Sequence, residues 1–274
     1  KDLEHFRPYF RGCLLAGAAG DALGAPLEFM GLNQIRHEFG TSGLSEFIQC
    51  YGRVGAITDD TQMTAFTAEG LLRSYVRGSL RGVTDPASVV GCAYQRWFMT
   101  QGETNTEVTD PLIADQAESL YYHDDLHHRR APGNTCLSAL REQTYYGQAA
   151  ANNSKGCGGV MRVAPVALYH FHTDGNSDSA SAAFKTGVEV AELTHGHITG
   201  KLTAGALAAI IVKVLKGVDL AQAVLQVGEL CQQHDGHEET TQTMDHALAL
   251  ATTDTPVDDA ILAPGQLQDI QPHA

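Results

Sequence analysis

Ile57-Thr58-Asp59-Asp60-Thr61 sets two adjacent carboxylates between two hydroxyl side chains, just before a segment whose apolar residues have helical spacing. Thr58 is a natural N-cap, and Asp59 and Asp60 then lie in the first helical turn, where the helix dipole favours negative charge. Hard cations such as Mg²⁺ prefer the same oxygen ligands. The stretch therefore indicates either an ordinary capped helix start or part of a metal site.

The length and composition of the chain indicate one globular domain. Its 274 residues, 43 % of them hydrophobic, are enough to bury a large core. The formal net charge is −14 and the pI is about 5.2, which argues against broad binding to nucleic acid or to an anionic membrane. One anionic small molecule, held by backbone amides and a metal ion, remains compatible with this charge.

The cysteines and the first residues indicate a cytoplasmic protein. The six cysteines are scattered without a C-x-x-C pair, which predicts free thiols rather than disulfides or zinc sites. The beginning of the chain is charged and Arg11 interrupts any apolar run, so no signal peptide is predicted. The most apolar run, Ala204 to Leu215, is short and contains Lys213, and we expect a buried helix rather than a membrane span.

Helical spacing recurs along nearly the whole chain, and no alternating segment is long enough for a sheet, so the predicted fold class is all-α. The exception is Gly31 to Gly55, a glycine-rich stretch without a sustained period that predicts a long loop. The predicted helices are Phe6 to Phe29, the helix after Thr58, Pro86 to Phe98, Leu112 to Tyr122, a helix from Asn134 or Thr135, a helix from Val160, a helix ending at Thr194, Gly200 to Leu215 and Glu238 to Ala251.

Three acidic or histidine-rich places outside the opening stretch need an interpretation. We interpret Asp21 as a buried, hydrogen-bonded carboxylate that supports its neighbours, whereas Glu28 is either a surface residue or a carboxylate facing a cleft. His123 to Arg130 mixes both charges, and its spacing does not gather the imidazoles on one helix face. We therefore predict a solvated connector there rather than a metal cluster.

A second stretch that indicates a functional site runs from Asn152 to Arg162 and has three glycines in four residues. Glycines leave backbone N–H groups open to a ligand, and an apolar helix follows, so the segment predicts a phosphate cradle at a helix N-terminus. It is neither a P-loop nor a dinucleotide fingerprint. His195 and His197 flank Gly196 between two helices, a position from which a side chain can line a pocket.

Together these segments resemble the ADP-ribosylglycohydrolases, including the dinitrogenase-reductase-activating type. The matching pieces, in family order, are RGCLLAGAAGDALGAPLEF from Arg11 to Phe29, ITDDTQMT from Ile57 to Thr64, APGNT from Ala131 to Thr135, SKGCGGVMRVAP from Ser154 to Pro165 and THGH from Thr194 to His197. The resemblance implies one compact, orthogonal bundle of helices over residues 1–274. It also implies two Mg²⁺ or Mn²⁺ ions at the floor of an ADP-ribose cleft.

By position in those motifs, the resemblance assigns roles to particular residues. Thr58, Asp59 and Asp60 would supply one half of the metal ligands, and Asp59, Asp60 and Glu28 would be catalytic. The general base is either Asp60 or Glu28, and the sequence does not choose between them. The ADP-ribose-binding residues would be Gly133, Asn134, Ser154, Lys155, Gly156, Cys157, Gly158, Gly159, Val160, Met161 and His195.

One departure from the family pattern concerns the second half of the metal site. The family has a C-terminal Asp-x-Asp-Ser/Thr segment in a glycine-rich helix start, and no such segment exists here. Thr253-Asp254-Thr255-Pro256 lies too early and is interpreted as a turn. We expect a chain incomplete at its C-terminus, in preference to a shortened homologue with a damaged metal centre.

Three classes of function remain open. The first is a hydrolase that removes ADP-ribose from an ADP-ribosylated protein, with arginine the expected linkage. The second is an ADP-ribose-binding protein without turnover. The third is an immunity-type protein that neutralises an ADP-ribosylating toxin by occluding its active site. Within the first class, serine linkages, nucleic-acid ends and small ADP-ribosyl compounds stay open as substrates. Nucleic acid is otherwise not expected as a partner, and neither is a membrane.

Overall fold

The computed structural model describes residues 3–108, 119–171, 178–256 and 259–260, and within them the chain is all-α apart from one small hairpin, as predicted. The α-helices in chain order are α1 Arg7–Gly24, α2 Leu32–Phe39, α3 Asp59–Arg81, α4 Pro86–Thr100, α5 Asn134–Glu142, α6 Ala164–His170, α7 Ser179–Glu192, α8 Ile198–Leu215, α9 Leu220–Cys231 and α10 Glu238–Ala251. Strands β1 Gln49–Cys50 and β2 Arg53–Val54 pair antiparallel, and 3₁₀ helices cover Leu3–Phe6, Leu120–Tyr122 and Asp124–Leu126.

Local sequence signals set both ends of α3, the helix that carries the acidic stretch. At its start the Thr58 side chain accepts a hydrogen bond from the Asp60 amide, so the predicted N-cap is confirmed. At its end Gly82 takes φ 75°, a left-handed conformation that glycine adopts without strain. Asp85 then caps α4 by accepting from the Ser88 amide, ahead of Pro86 in the first turn.

Two pairs of helices form most of the core, and glycine lets each pair approach closely. Helix α3 packs along α4, and α7 packs along α8. A Cβ added to Gly70 would lie 2.7 Å from the Val90 Cα, and one added to Gly205 would lie 2.8 Å from the Phe184 carbonyl oxygen. Any larger residue at either position would force the two backbones apart.

Helix α8 is the longest apolar helix of the described residues and has the length and composition to cross a membrane. In this fold it packs against α6, α7, α9 and α10, and residues such as Leu202, Ala208 and Val212 are fully buried in the core. The predicted buried helix is confirmed, although it begins at Ile198 rather than Gly200 because the His197 side chain accepts a hydrogen bond from the Thr199 amide.

Two predictions near the N-terminus were wrong. The first helix ends at Gly24, not Phe29, and turns follow it, because Pro26 has no N–H group to continue the helix. The segment from Gly31 to Gly55 is not a loop, since it contains α2, β1 and β2. These elements are short, and α2 buries none of its residues, so its sequence carries no sustained apolar period.

Other predicted segments fall partly or wholly outside the described residues. Leu112 to Tyr122 lies mostly outside them, and its described end, Leu120–Tyr122, is a 3₁₀ helix. The tail from Gly265 to Ala274 lies entirely outside them. Thr253 to Pro256 has no helical structure, in agreement with the predicted turn.

Candidate functional site

Asp21 of α1 organises the start of α3 through four hydrogen bonds. Its carboxylate accepts from the Thr58 amide at 2.8 Å and the Thr58 hydroxyl at 2.6 Å. It also accepts from the Thr61 amide at 3.2 Å and the Thr61 hydroxyl at 2.5 Å. The interpretation of Asp21 as a hydrogen-bonded carboxylate that supports its neighbours is confirmed, but the residue is partly rather than fully buried. Its neighbours are the two hydroxyl residues that enclose the aspartate pair.

Arg130 fixes the same helix start from the other side. This side chain is 3 % exposed, and its guanidinium donates to the Ile57 carbonyl at 3.1 Å, while the Arg130 carbonyl accepts from the Asp59 amide at 3.2 Å. The prediction of a solvated connector is therefore wrong for this residue, although His123 to Arg129 stays largely exposed. Burial of Arg130 follows from the backbone carbonyl it reaches, which its local sequence does not reveal.

Glu28, Asp59 and Asp60 form an acidic cluster beside Asp21. Burial raises the pKa of Asp59 to about 7, a hydrogen bond from the Gly133 amide opposes the shift, and the charges of Asp60 and Glu28 add to it. Burial and the charges of Asp21 and Glu28 raise the pKa of Asp60 to about 6. Partial burial and the Asp21 charge also raise the pKa of Glu28, an otherwise exposed side chain. The charges that act on all three carboxylates are negative.

The donor chemistry of this cluster suits a hard divalent cation. Carboxylate oxygens of Asp59, Asp60 and Glu28 are the ligand type that Mg²⁺ and Mn²⁺ prefer. Across the part of the chain that the structure describes, no group of three or more His, Cys, Asp or Glu side chains is arranged to hold a metal ion. The three carboxylates therefore match the donor type that a cation prefers, but among the described residues they do not by themselves form a metal-binding group. The assignment of Thr58, Asp59 and Asp60 as ligands stays a prediction.

Tyr51 is a neighbour of the acidic cluster that sequence reasoning missed. It follows β1 at the tip of the hairpin with φ 48°, and its side chain is 39 % exposed. Burial raises the pKa of its phenol, and the charges of Glu28, Cys50, Asp59 and Asp21 add to that shift. The hairpin thus brings an aromatic hydroxyl toward the carboxylates. The only sequence signal is the following glycine, which a tight turn requires.

A network around Asn152 holds the glycine-rich segment, Ser154 to Met161, in place. The Asn152 side chain accepts from the amides of Ser154 and Gly196, both at 3.0 Å, and donates to the Thr194 carbonyl at 2.9 Å. The hydroxyls of Ser154 and Thr135 lie 3.2 Å apart. Three motifs that are distant in sequence therefore meet here, and Asn152 had no assigned role in the sequence.

The amides of Cys157, Gly158 and Gly159 donate no hydrogen bond to any residue that the structure describes, whereas those of Val160 and Met161 both donate to the Cys157 carbonyl. Partial burial and the charges of Asp60, Asp59 and Glu28 raise the pKa of the Cys157 thiol. Successive free amides are the kind of backbone that binds phosphate oxygens. The segment thus presents anion-binding groups within electrostatic reach of the acidic cluster.

The structure corrects the expected reason for the glycines. They do not lie at a helix N-terminus, because α6 begins only at Ala164 and turns precede it. A Cβ added to Gly158 would lie 2.7 Å from His195 Cε1, and one added to Gly159 would lie 2.9 Å from the Ala191 Cβ. Close packing against α7 and the following histidine therefore requires glycine at both positions.

His195 supports the glycine-rich segment from beneath. The ring is 1 % exposed, and its Nδ1 lies 2.9 Å from the Thr194 hydroxyl. Burial, together with the positive charge of Arg162, lowers its pKa to about 4, so the imidazole is neutral near pH 7. Arg162, whose role the sequence did not reveal, is itself fully buried and donates to the Thr194 hydroxyl at 2.6 Å. The predicted contact of His195 with ADP-ribose stays a prediction.

Lys155, Gly133 and Asn134 lie at the edges of this site. The Lys155 ammonium pairs with Glu239 of α10, which anchors it away from the free amides. Gly133 is the N-cap of α5, so the prediction of Asn134 or Thr135 as cap was wrong, and the Gly133 amide donates to Asp59 at 3.3 Å. Asn134 begins α5 and is exposed. Ala131, with φ 50°, makes the turn that aims the Gly133 amide at the aspartate.

A small cavity adjoins the acidic cluster between α1 and α3. It has a volume of about 120 Å³ and is lined in part by Cys13, Asp21, Asp60, Thr64 and Met161. The Thr64 hydroxyl bridges toward the glycine-rich segment, because it lies 3.3 Å from the Met161 carbonyl. The cavity is large enough for a water molecule, and Asp21, Asp60 and Thr64 supply polar groups in its lining.

The structure thus combines an all-α fold with an acidic helix start and a backbone segment that has free amides. The chain belongs to the ADP-ribosylglycohydrolase family, whose sequence model matches residues 4–270. A protein of Archaeoglobus fulgidus, described as uncharacterized, is 30 % identical over 167 residues. That match covers 59 % of this chain and 43 % of the relative, so the chain spans less than half of that protein.

Proposed function

We propose that this protein is a glycohydrolase that removes ADP-ribose from a modified protein side chain, that arginine carries the modification, and that Mg²⁺ or Mn²⁺ assists the reaction. The observation that supports this most is the position of Cys157, on which the charges of Asp60, Asp59 and Glu28 all act. Its amide begins the row of free N–H groups. The carboxylates, which suit a cation, therefore lie near amides that suit a diphosphate. ADP-ribose, in which a ribose is joined to a diphosphate, has groups that match both.

The reaction breaks the bond between the anomeric carbon of the ribose and the side-chain nitrogen, and forms a bond from that carbon to a water oxygen. Its transition state has oxocarbenium character, which nearby negative charge stabilises. Asp60 or Glu28 accepts the proton of the attacking water, and the departing guanidine takes up a proton from that carboxyl group or from solvent, which leaves the carboxylate ionised again. The amides of Cys157 to Gly159 hold the diphosphate and so fix the anomeric carbon beside the carboxylates.

Thr58, Asp59 and Asp60 are the residues that would hold the cation. When bound, a divalent cation there supplies Lewis-acid polarisation and orients the hydroxyl groups of the ribose. Asp21 binds the Thr58 and Thr61 hydroxyls and so holds the loop that presents these oxygens. Asp21 is therefore a positioning residue in this proposal and not a ligand.

Release of ADP-ribose from an arginine-ADP-ribosylated protein tests the proposal, with Mg²⁺, Mn²⁺ or a chelator present. We expect release that requires the cation and that Asp60→Asn reduces by about a hundredfold or more. Asp245→Asn on α10, an exposed aspartate, is the matched control. No release with either cation, or equal rates for both variants, would contradict the proposal. A faster reaction on a serine-linked substrate would keep the glycohydrolase and replace the linkage.

A second candidate function is binding without turnover, including an immunity-type role against an ADP-ribosylating toxin. The described residues provide no group of three or more metal-ligating side chains, which favours this candidate if no further ligand joins the site. The two candidates differ in one variant. Asp59→Ala combined with Asp60→Ala abolishes neutralisation of the toxin if hydrolysis is responsible, and leaves it intact if occlusion is responsible.

A further inference from the structure

A groove separate from the acidic cluster lies between the C-terminal half of α3 and the facing side of α4. Its volume is about 580 Å³, within the range of small-molecule sites. From Asp60 to Arg77 the helix rises by about 25 Å, so the groove is remote from the proposed catalytic carboxylates. Its lining residues are Glu69, Leu72, Arg73, Val76, Arg77, Leu80, Arg81, Val89, Cys92 and Arg96.

One side of this groove is an exposed aliphatic row. Leu72, Val76 and Leu80 are 66 %, 53 % and 80 % exposed. Their spacing of four residues places them on one stripe of α3, about 12 Å long. A continuous row of exposed aliphatic side chains on an otherwise acidic protein indicates a binding surface.

Beside the aliphatic row runs a row of arginines with the same spacing. Arg77 and Arg81 form no ion pair with any residue in the described ranges, while Arg73 pairs with Glu69 at 2.8 Å. Glu69 is the acidic residue among those lining the groove, and it already accepts from the Leu120 amide at 2.9 Å. The lining therefore carries a clear excess of positive charge, in a chain whose net charge is −14.

Arg96 of α4 adds a buried cation to the same groove. Its side chain is 1 % exposed, and Nη2 lies 2.6 Å from a Glu69 carboxylate oxygen. Its Nε is buried and has no hydrogen-bond partner among the residues described. Buried donors without a partner are rare in native proteins. An anion that enters the groove would supply the missing acceptor.

We propose that this groove binds a single-chain anionic amphiphile, with its carboxylate or phosphate headgroup between Arg96 and Arg77 and its alkyl chain along Leu72, Val76 and Leu80. The depth of Arg96 favours this ligand over a membrane surface, whose headgroups form a plane that does not enter a groove. The aliphatic row favours it over inorganic phosphate, which would leave that row exposed.

Calorimetric titration of the full chain with decanoate and with decyl phosphate, both below their micelle-forming concentrations, tests the proposal. We expect saturable binding of both, at one site per chain. Decyl maltoside, with the same chain and no charge, and acetate and inorganic phosphate, with charge and no chain, should each bind at least about tenfold more weakly. Equal affinity for decyl maltoside, or no saturable binding of the two anions, would overturn the proposal.

A charge reversal localises the site. Arg77→Glu, at an exposed position, should weaken decanoate binding by about tenfold or more, which corresponds to about 1.4 kcal/mol. Arg7→Glu makes the same charge change on exposed α1 outside the groove and should leave the affinity within about twofold. Equal weakening by both variants would show a net-charge effect and refute the site. Circular dichroism of each variant shows whether it is folded.

Two further arms distinguish other occupants. Val76→Asn should weaken decanoate binding by interrupting the aliphatic row without adding a charge, while inorganic phosphate binding should not change. Cosedimentation with phosphatidylglycerol vesicles that Arg77→Glu abolishes, in the absence of decanoate binding, would overturn the proposal in favour of a membrane surface. Saturable binding of an acidic peptide in place of the amphiphile would overturn it in favour of a protein partner.

Discussion

Replacing Asp21 by alanine should destabilise the protein by about 3 kcal/mol. The change removes the acceptor of four hydrogen bonds, from the amides and hydroxyls of Thr58 and Thr61. These bonds connect α1 to the first turn of α3, so their loss also frees the loop that carries Asp59 and Asp60.

The magnitude follows from two opposing effects. A hydrogen bond to a charged group contributes about 1.5–3 kcal/mol, so four of them would contribute well over 6 kcal/mol if they were additive and dry. Asp21 is only partly buried, so water replaces part of this loss. Removing its charge also relieves the repulsion that acts on Glu28 and Asp60. A net loss equal to one or two such bonds remains.

Equilibrium unfolding in urea measures the effect, with the fluorescence of Trp97, the single tryptophan, and circular dichroism as two probes. Asp21→Asn keeps the shape and one acceptor, and it should lose about half as much as Asp21→Ala. Asp245→Ala, at an exposed position on α10, is the control and should change the unfolding free energy by less than about 0.5 kcal/mol. If Asp21→Ala lies within 1 kcal/mol of that control, the hydrogen bonds contribute no net stability and the reasoning fails.

Three further predictions concern the glycine-rich segment. Gly158→Ala places a Cβ 2.7 Å from His195 and should cost about 1–3 kcal/mol in thermal or urea unfolding, whereas Gly156→Ala, whose nearest neighbour is 3.5 Å away, should change stability by less than about 0.5 kcal/mol. The pKa of His195 falls from 6.5 to about 4 on folding, so the unfolded state binds more protons between those pH values and the free energy of unfolding decreases as the pH falls through that window. Relative to His195→Gln, the protein should lose about 2 kcal/mol of stability between pH 7.5 and pH 5. Parallel pH profiles of the two proteins would contradict this. Lys155→Ala removes a half-exposed ion pair with Glu239 and should cost less than about 1 kcal/mol, a limit that a melting curve checks.

The helices that the sequence predicts well are those with both ends marked locally. Helix α3 has the Thr58 cap, two acidic residues in its first turn and Gly82 after its last turn, and all of these act over a few residues. Helix α2 also ends at a glycine, Gly40, but it has no side-chain cap at its start and buries none of its residues. Its sequence therefore lacks the apolar period by which the longer helices are predicted.

In the candidate site, too, some residues are indicated by the local sequence and others are not. Asp59, Asp60 and the glycines are visible in the sequence because clusters of like residues are rare. Asn152 and Tyr51 are single polar residues with nothing unusual beside them, and they reach the site only through the folded chain. The sequence also could not show that Gly158 is required for close packing against His195, because a sequence does not distinguish an exposed glycine from a packed one.

Comparison of Asp21 with the three carboxylates beside it shows which acidic groups stabilise the folded state and which do not. Asp21 receives four hydrogen bonds, so its charge is satisfied within the protein. Asp59 receives one from the Gly133 amide, and burial and neighbouring charges raise its pKa to about 7. A raised carboxylate pKa means that ionisation opposes folding near neutral pH, and this opposition weakens as the pH falls and the folded protein takes up a proton. Groups that destabilise their own fold are concentrated at functional sites. A cationic or hydrogen-bonding ligand would therefore stabilise the ionised carboxylates of the acidic cluster more than it would stabilise Asp21, which already accepts four hydrogen bonds.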